Sequence, residues 1–342
     1  MIEGSGPPGE AGLPLLCVAN RPVLLRVLDS LAQAGIRDVG VAVDPALGPQ
    51  VRRVLESNRP LPFELTYLDC PPEEGLLGAL TCVAEYAPDG PLLVHWAYGL
   101  FKAPLRSLLG DASIGPLDTV VLLGPPLAQT AVVELASERL SALMDVPLVD
   151  SHGPLAGVAL LGSAAREVAR ALEPCRDADL DLLAVVERMA ELGGQVRALP
   201  AAGCWRYTGA TDSALELNRF LLSDLVSDVR RPESRGAIVE GAVQVHSSVI
   251  IERSTIRGPV VIGPGSRLLD AYIGPYTSIG ADVCVEGAEI ENSIVLGGTR
   301  ISYLDRRLEG SVVGPAATIC RDFRLPRAVR LRVGEGASVS LT

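Results

Sequence analysis

Lysine is all but missing from this chain: of its 30 basic residues only Lys102 is a lysine, and the rest are arginines. A compact ammonium and a planar guanidinium are not interchangeable, so any mechanism that needs two lysines is excluded. Aromatic residues are also scarce, at 4% against 48% hydrophobic residues. A core must therefore be filled by Val, Leu, Ile and Ala rather than by rings. Cationic charge is short as well, since 30 Lys and Arg face 41 Asp and Glu for a formal charge of −11. That balance argues against a nucleic-acid partner or an anionic membrane surface, both of which need clustered Lys and Arg. No apolar run is long enough to span a bilayer and no signal-peptide pattern opens the chain, so a soluble cytoplasmic protein is expected. The seven cysteines (Cys17, Cys70, Cys82, Cys175, Cys204, Cys284, Cys320) are odd in number and scattered, with no Cys-x-x-Cys; they read as reduced, partly buried thiols. His95, His152 and His246 show no zinc-ligand spacing.

What is present is a repeat. A length of 342 residues allows two domains, and over roughly residues 236–320 aliphatic residues recur with a fixed stagger. Val239, Val245 and Ile251 form one set, Ile256, Ile262 and Leu268 the next, then Ile273, Ile279 and Val285, with Ile290 and Leu296 continuing. Corresponding members lie 17 residues apart, a period that suits neither an amphipathic helix nor an alternating hairpin. It suits a triangular prism in which each short side sends one aliphatic residue inward, with glycines such as Gly241, Gly265 and Gly287 at the corners. Stacked coils then align Val245, Ile262, Ile279 and Leu296 into one buried column. The pattern resembles the hexapeptide-repeat proteins, and that resemblance implies a left-handed parallel β-helix. Some hexapeptide proteins are acyltransferases with a catalytic histidine; His246, the one histidine in this region, reads instead as a solvated corner residue.

Residues 13–228 alternate short aliphatic runs with amphipathic stretches, which reads as α/β. Strands are expected to include Val39–Val43, Phe63–Leu68, Leu92–Val94 and Val120–Leu123. Helices are expected to include Val23–Ala34, Leu77–Tyr86, Ser163–Leu172, Leu180–Leu192 and Thr211–Ser223, with Asp212 and Ser213 suited to start the last. The organisation is thus a flexible Gly/Pro-rich leader (1–12), an α/β domain (13–228) and a β-helix domain with a C-terminal tail (229–342). The polar, turn-rich DVRRPESRG at 228–236 makes the linker.

Four phrases in order, LLCVANRPVLLRVLDSLAQAGIRDVGVAV (15–43), CWRYTGATDSALELNRFLL (204–222), IGPYTSIGADVCVEGAEIENSIVL (273–296) and LPRAVRLRVGEGASV (325–339), resemble the sugar-1-phosphate nucleotidyltransferases. The match is to the long glucose-1-phosphate thymidylyltransferase-like group with a β-helix tail. The resemblance implies a Rossmann-like α/β nucleotidyltransferase domain, and a reaction joining a nucleoside triphosphate to a sugar 1-phosphate with release of pyrophosphate. In such phosphoryl chemistry catalysis is positioning plus charge neutralisation. The family supplies these with a glycine-rich loop carrying an arginine, two lysines, and two aspartates holding Mg²⁺.

This chain departs from every one of those parts. Gly4, Ser5 and Gly6 stand only three residues in, leaving no room for the usual first strand, and Pro7 and Pro8 follow where N–H donors would be needed. The first lysine position falls at Leu13. The second, in a Glu-Lys-Pro stretch, falls at Val146 between Asp145 and Pro147. The two metal aspartates correspond to Tyr98 and Tyr207, and a neutral phenol is a poor ligand for a hard cation. No cofactor is therefore expected. Gly75, Tyr98, Glu134, Asp145, Gly157, Trp205 and Tyr207 fall where the family lines its pocket. Each also has a plain structural role open to it: a turn at Gly75, a solvated strand residue at Glu134, close packing at Gly157, core at Trp205.

Three readings follow. The leading one is a catalytically inactive homologue acting as a structural, regulatory or partner subunit, forming a homo-oligomer or pairing with a paralogue through its β-helix. The second is an active nucleotidyltransferase using Mg²⁺, with Asp69, Asp150 or Asp212 as replacement ligands. The third is a sensor that binds a sugar phosphate or nucleotide without turnover, with Tyr98 facing Tyr207. The replacement of Lys by Arg, with abundant Ala, Gly and Pro, suggests a high-GC bacterial source.

Overall fold

A computed structural model describes residues 13–71, 74–86, 89–110, 114–124, 139, 155–175, 177–206, 212–229 and 233–321. The chain forms two compact units: residues 1–15 with 23–206, and residues 16–22 with 207–342. The closing phrase at 325–339 lies outside the described residues, as does the Gly/Pro-rich leader.

In chain order the described elements before the solenoid are β1 (Cys17–Val18), β2 (Arg21–Pro22), α1 (Val23–Gln33), β3 (Asp38–Val43), α2 (Gly48–Ser57), β4 (Glu64–Asp69), α3 (Gly75–Tyr86), β5 (Leu92–His95), β6 (Gly99–Phe101), α4 (Leu105–Leu109), β7 (Thr119–Leu123), β8 (Leu155–Leu161), α5 (Ala165–Arg170), α6 (Ala178–Glu191), β9 (Val196–Pro200), β10 (Cys204–Arg206) and α7 (Asp212–Leu222). Every helix and strand expected from the sequence is found, with ends shifted by a few residues. The first unit is α/β. Its α1 buries Val23, Leu24, Val27, Leu28 and Leu31, a stripe at helical spacing. Gly35, at φ +85°, ends it by letting the Ile36 N–H reach the Leu31 carbonyl at 3.1 Å, the left-handed ending that glycine permits.

Parallel β3 and β4 are joined through α2, a helix the sequence analysis left out because only Gly48, Val51 and Leu55 are buried on it. A separate four-stranded sheet has the order β5–β8–β7–β9, with β8 antiparallel to both of its neighbours and β7 parallel to β9. Strand β8 is buried along nearly its whole length. Its sequence LAGVALL has no alternation to reveal a strand, as happens when both faces are covered. Helix α6 starts on Asp177, whose side chain accepts from the N–H groups of Asp179 and Leu180 at 3.0 and 3.1 Å. A cluster of Leu76, Leu80, Val94, Trp96, Leu161, Leu182 and Val186 forms the core of this unit.

The second unit is a parallel β-helix whose strands run from Asp228–Val229 to Thr318–Cys320 in three sheets of six, six and five strands. On the first face the inward column is Val245, Ile262, Ile279, Val295 and Val313. On the second it is Ile251, Leu268, Val285, Ile301 and Ile319, and on the third Val239, Ile256, Ile273, Ile290 and Leu308. One expected member is corrected: Ile279 pairs with Val295, not Leu296. Val295 is 1% exposed, whereas Leu296 is only half-buried. The cause is a shorter corner, since Glu291–Ser293 replaces the longer Gly274–Thr277 turn one coil below. The presumed linker is corrected too: Asp228–Val229 and Glu233–Arg235 pair with the next coil as strands.

Corner polar groups are met locally. Ser266, fully buried, donates to the Gly280 carbonyl at 2.7 Å and accepts from the Val283 N–H at 3.2 Å. Gly265 has φ +71°, a left-handed conformation that glycine adopts without strain, and the exposed Asp282 carboxylate lies against its open side. His246 is exposed at a corner with Ser248 beside it at 2.9 Å.

The short hairpin of β1 and β2 belongs to this unit. Its two turn residues, Ala19 and Asn20, both have positive φ, as a tight two-residue hairpin requires. Asn20 Nδ2 donates to the Ile279 carbonyl at 2.7 Å. Fully buried Asn218 on α7 accepts from the Ala19 N–H and the Ser278 hydroxyl, and donates to the Tyr276 carbonyl. The ANRP phrase thus docks on the third coil.

No helix among the described residues is long and apolar enough to cross a membrane.

Two measurements check these assignments. Val295→Ala is expected to cost about 2 kcal/mol in urea unfolding and Leu296→Ala under about 1 kcal/mol, although leucine loses more atoms; the reverse order would restore the regular period. The second concerns His95, which is 3% exposed and whose Nδ1 donates to the Trp96 carbonyl at 2.7 Å. Burial pushes its pKa down from 6.5 to about 4, against the pull of that carbonyl. The unfolded chain therefore holds the proton more tightly than the folded one. The neutral ring's contribution is complete above the unfolded pKa and is lost as pH falls from 6.5 through about 4. His95→Phe is expected to remove roughly 3 kcal/mol of the stability lost on acidification over that window; equal acid sensitivity in both proteins would refute it.

Candidate functional site

Where β5 ends, the chain turns through Trp96 to Tyr98 and returns as β6, which pairs antiparallel with β10 so that Gly99 lies opposite Arg206. This pairing brings Tyr98 next to Arg206. The Arg206 guanidinium is almost wholly buried: its side chain is 14% exposed and that of Asp179, to which it is ion-paired at 2.7 Å, is 6% exposed. Arg206 Nη1 also donates to the Leu155 carbonyl at 2.9 Å, and the guanidinium donates to the Tyr98 hydroxyl. Burial opposes the charge on Arg206, but the Asp179 carboxylate and Tyr98 outweigh it and hold its pKa above the ordinary value. Burial likewise pushes the Tyr98 phenol up to about 12, with Arg206 pulling the other way. Tyr98 is thus neutral through the physiological range, and Arg206 is permanently cationic.

Gly75 opens α3 with φ +52°, and a Cβ there would stand 2.8 Å from Asp181 Oδ2. Asp181 is 1% exposed and its other oxygen accepts from the Cys175 N–H at 2.9 Å. Gly157 lies in β8 at φ +81°, with the Trp96 side chain 3.2 Å from where a Cβ would be; only glycine lets β8 pass so close to the indole. Trp205 is 8% exposed in β10, opposite Leu100. Leu13 begins a 3₁₀ turn, Leu13–Leu15. Glu134, Asp145, Val146 and Tyr207 lie outside the described residues, as does Asp150.

The structure therefore brings Tyr98 and the Trp205–Arg206 strand to one buried ion pair, with Gly157 lying against Trp96. Gly75 lies against Asp181, two residues from Asp179. Arg206, Asp179 and Asp181 escaped the sequence analysis. The available signals were an arginine inside the Trp205–Tyr207 phrase and acidic residues at the buried start of α6.

The Mg²⁺ implied by the family resemblance does not fit these side chains. Mg²⁺ wants hard anionic oxygens in octahedral array, and here a neutral phenol and a fixed guanidinium stand instead. A divalent ion about 4 Å from that guanidinium would be repelled by roughly 8 kcal/mol at an effective dielectric of about 20. Asp179 and Asp181 sit at i, i+2 on α6 and do not face one another. Asp69 is exposed and paired with Arg52 at 3.2 Å, and Asp212 begins α7. Among the described residues no group of three or more His, Cys, Asp or Glu side chains is placed to hold a metal ion.

No family model matches the chain. Relatives nevertheless align along nearly all of it. The glucose-1-phosphate thymidylyltransferase of Streptomyces antibioticus is 29% identical over 332 residues, covering 96% of this chain and 93% of the relative. That of Streptomyces griseus is 29% identical over 340 residues with the same coverages of 96% and 93%. A low-salt glycan biosynthesis nucleotidyltransferase of Haloferax volcanii is 27% identical over 334 residues, again covering 96% and 93%. An α/β unit followed by a parallel β-helix goes with these full-length alignments, and along nearly its whole length the chain is a homologue of glucose-1-phosphate thymidylyltransferases.

Proposed function

We propose that this protein is a catalytically inactive homologue of a glucose-1-phosphate thymidylyltransferase, acting as a structural, regulatory or partner subunit. Tyr98 carries the reading. At the position where the resemblance calls for a metal carboxylate it presents a partly buried, neutral phenol, hydrogen-bonded to a guanidinium that is itself ion-paired with Asp179. Losing one preorganised electrostatic group at a reacting centre costs on the order of 10²–10³ in kcat. The lysine positions at Leu13 and Val146 are apolar as well, so positioning and charge neutralisation for phosphoryl transfer are both weakened.

Partnership is the natural remaining role. The β-helix presents flat, repetitive faces, and Ile238 and Val239 on its first third-face strand are 55% and 38% exposed, which supports a contact with another copy or with an active paralogue. Nucleotide or sugar phosphate binding without turnover would fit the same fold.

The test is pyrophosphate release from dTTP or UTP with glucose 1-phosphate and Mg²⁺, run beside light scattering of the purified protein. No release above the no-enzyme rate, together with an oligomer or a captured paralogue, is expected. Mg²⁺-dependent release would overturn the reading, and a monomer that captures no paralogue would remove the subunit role.

A further inference from the structure

We propose that Arg206 is a built-in substitute for a divalent cation: its guanidinium permanently occupies the cation position of this site, so that the folded protein excludes metal there. The inference deepens the non-catalytic reading and rests on it for the identity of the site. Three observations carry it. Arg206 is bonded to an acidic partner, Asp179, at 2.7 Å, to the Leu155 carbonyl at 2.9 Å, and to the Tyr98 hydroxyl. Those are a carboxylate, a carbonyl and a hydroxyl oxygen converging on one positive centre, a donor set of the kind that oxygen-seeking cations use. The centre is largely withdrawn from solvent, with the Arg206 side chain 14% exposed and Asp179 4% exposed.

The arrangement is also economical in charge. A carboxylate buried at the start of α6 needs a counter-charge, and a bound metal ion can leave whereas a covalently attached guanidinium cannot. Tyr98 completes the change: an aspartate there would add a further carboxylate to Asp177, Asp179 and Asp181 at the start of α6, while a phenol accepts a hydrogen bond and adds no charge.

The experiment uses Mn²⁺ as a spectroscopic probe, read by electron paramagnetic resonance on the full chain. Wild-type protein is expected to bind no Mn²⁺ at this site. Y98D, which keeps Arg206, is expected to bind no better than wild type. The double variant Y98D/R206Q, with two carboxylates and no internal cation, is expected to bind at least about tenfold more tightly than Y98D. Equal binding by Y98D and the double variant would show that the missing carboxylate, not the arginine, excludes metal, and would overturn the proposal. Wild-type binding that is lost in Asp179→Asn would overturn it too. Should the double variant fail to fold, Arg206→Ala provides the second measurement. Its lowered melting temperature or refolding yield should recover with Mn²⁺ as it does with methylguanidinium; recovery with methylguanidinium alone would overturn the proposal, because the site would then be one for a planar guanidinium and not for a metal ion. Metal binding without pyrophosphate release sinks this inference alone, whereas Mg²⁺-dependent release sinks the non-catalytic reading.

Discussion

A guanidinium withdrawn from water must be met by an anion and by oxygen acceptors, because an unpaired buried charge is among the most destabilising things a fold can contain. Arg206 imposes that demand on the α/β unit. Its partners come from three separate pieces of chain: Asp179 from the first turn of α6, the Leu155 carbonyl from the start of β8, and Tyr98 from the turn between β5 and β6. The antiparallel register of β6 against β10 then fixes where Tyr98 can stand. The start of α6 is held in turn by the Asp177 cap and by the Asp181 contact to the Cys175 N–H. In the same unit the backbone passes close to side chains at Gly75 and Gly157.

Tyr98, Arg206 and Asp179 make a structural centre of the α/β unit, in which the charge of Asp179 is balanced within the chain by an ion pair that also holds the turn carrying Tyr98.

The β-helix obeys a different constraint, one inward aliphatic residue per face per coil, and its corners absorb irregularity. The short corner at Glu291–Ser293 moves Val295 inward in place of Leu296, and the following coil restores the stacking, with Val313 above Val295. At the short corner Ser293 donates to the Glu291 carbonyl at 2.7 Å and accepts from the Ser311 N–H at 3.1 Å. The β1–β2 hairpin and Asn218 use the regularity of the third coil as a docking edge, taking the carbonyls of Tyr276 and Ile279.

The sequence by itself determined the solenoid, the alternation of α and β before it and most helix positions. All of these are written in local periodicity or in residue identity at a recognisable phrase. It did not reveal α2 or β8, the first because its buried stripe is narrow, the second because a strand covered on both faces loses its alternation. Nor did it separate Val295 from Leu296, since both are apolar and only the length of a corner chooses between them. Above all, it left Arg206 as one arginine among many and Asp179 as one acid in a run. Only the tertiary structure decided that they meet, because a buried ion pair between residues 27 positions apart depends on β10 and α6 arriving at the same dry place, which no local pattern encodes.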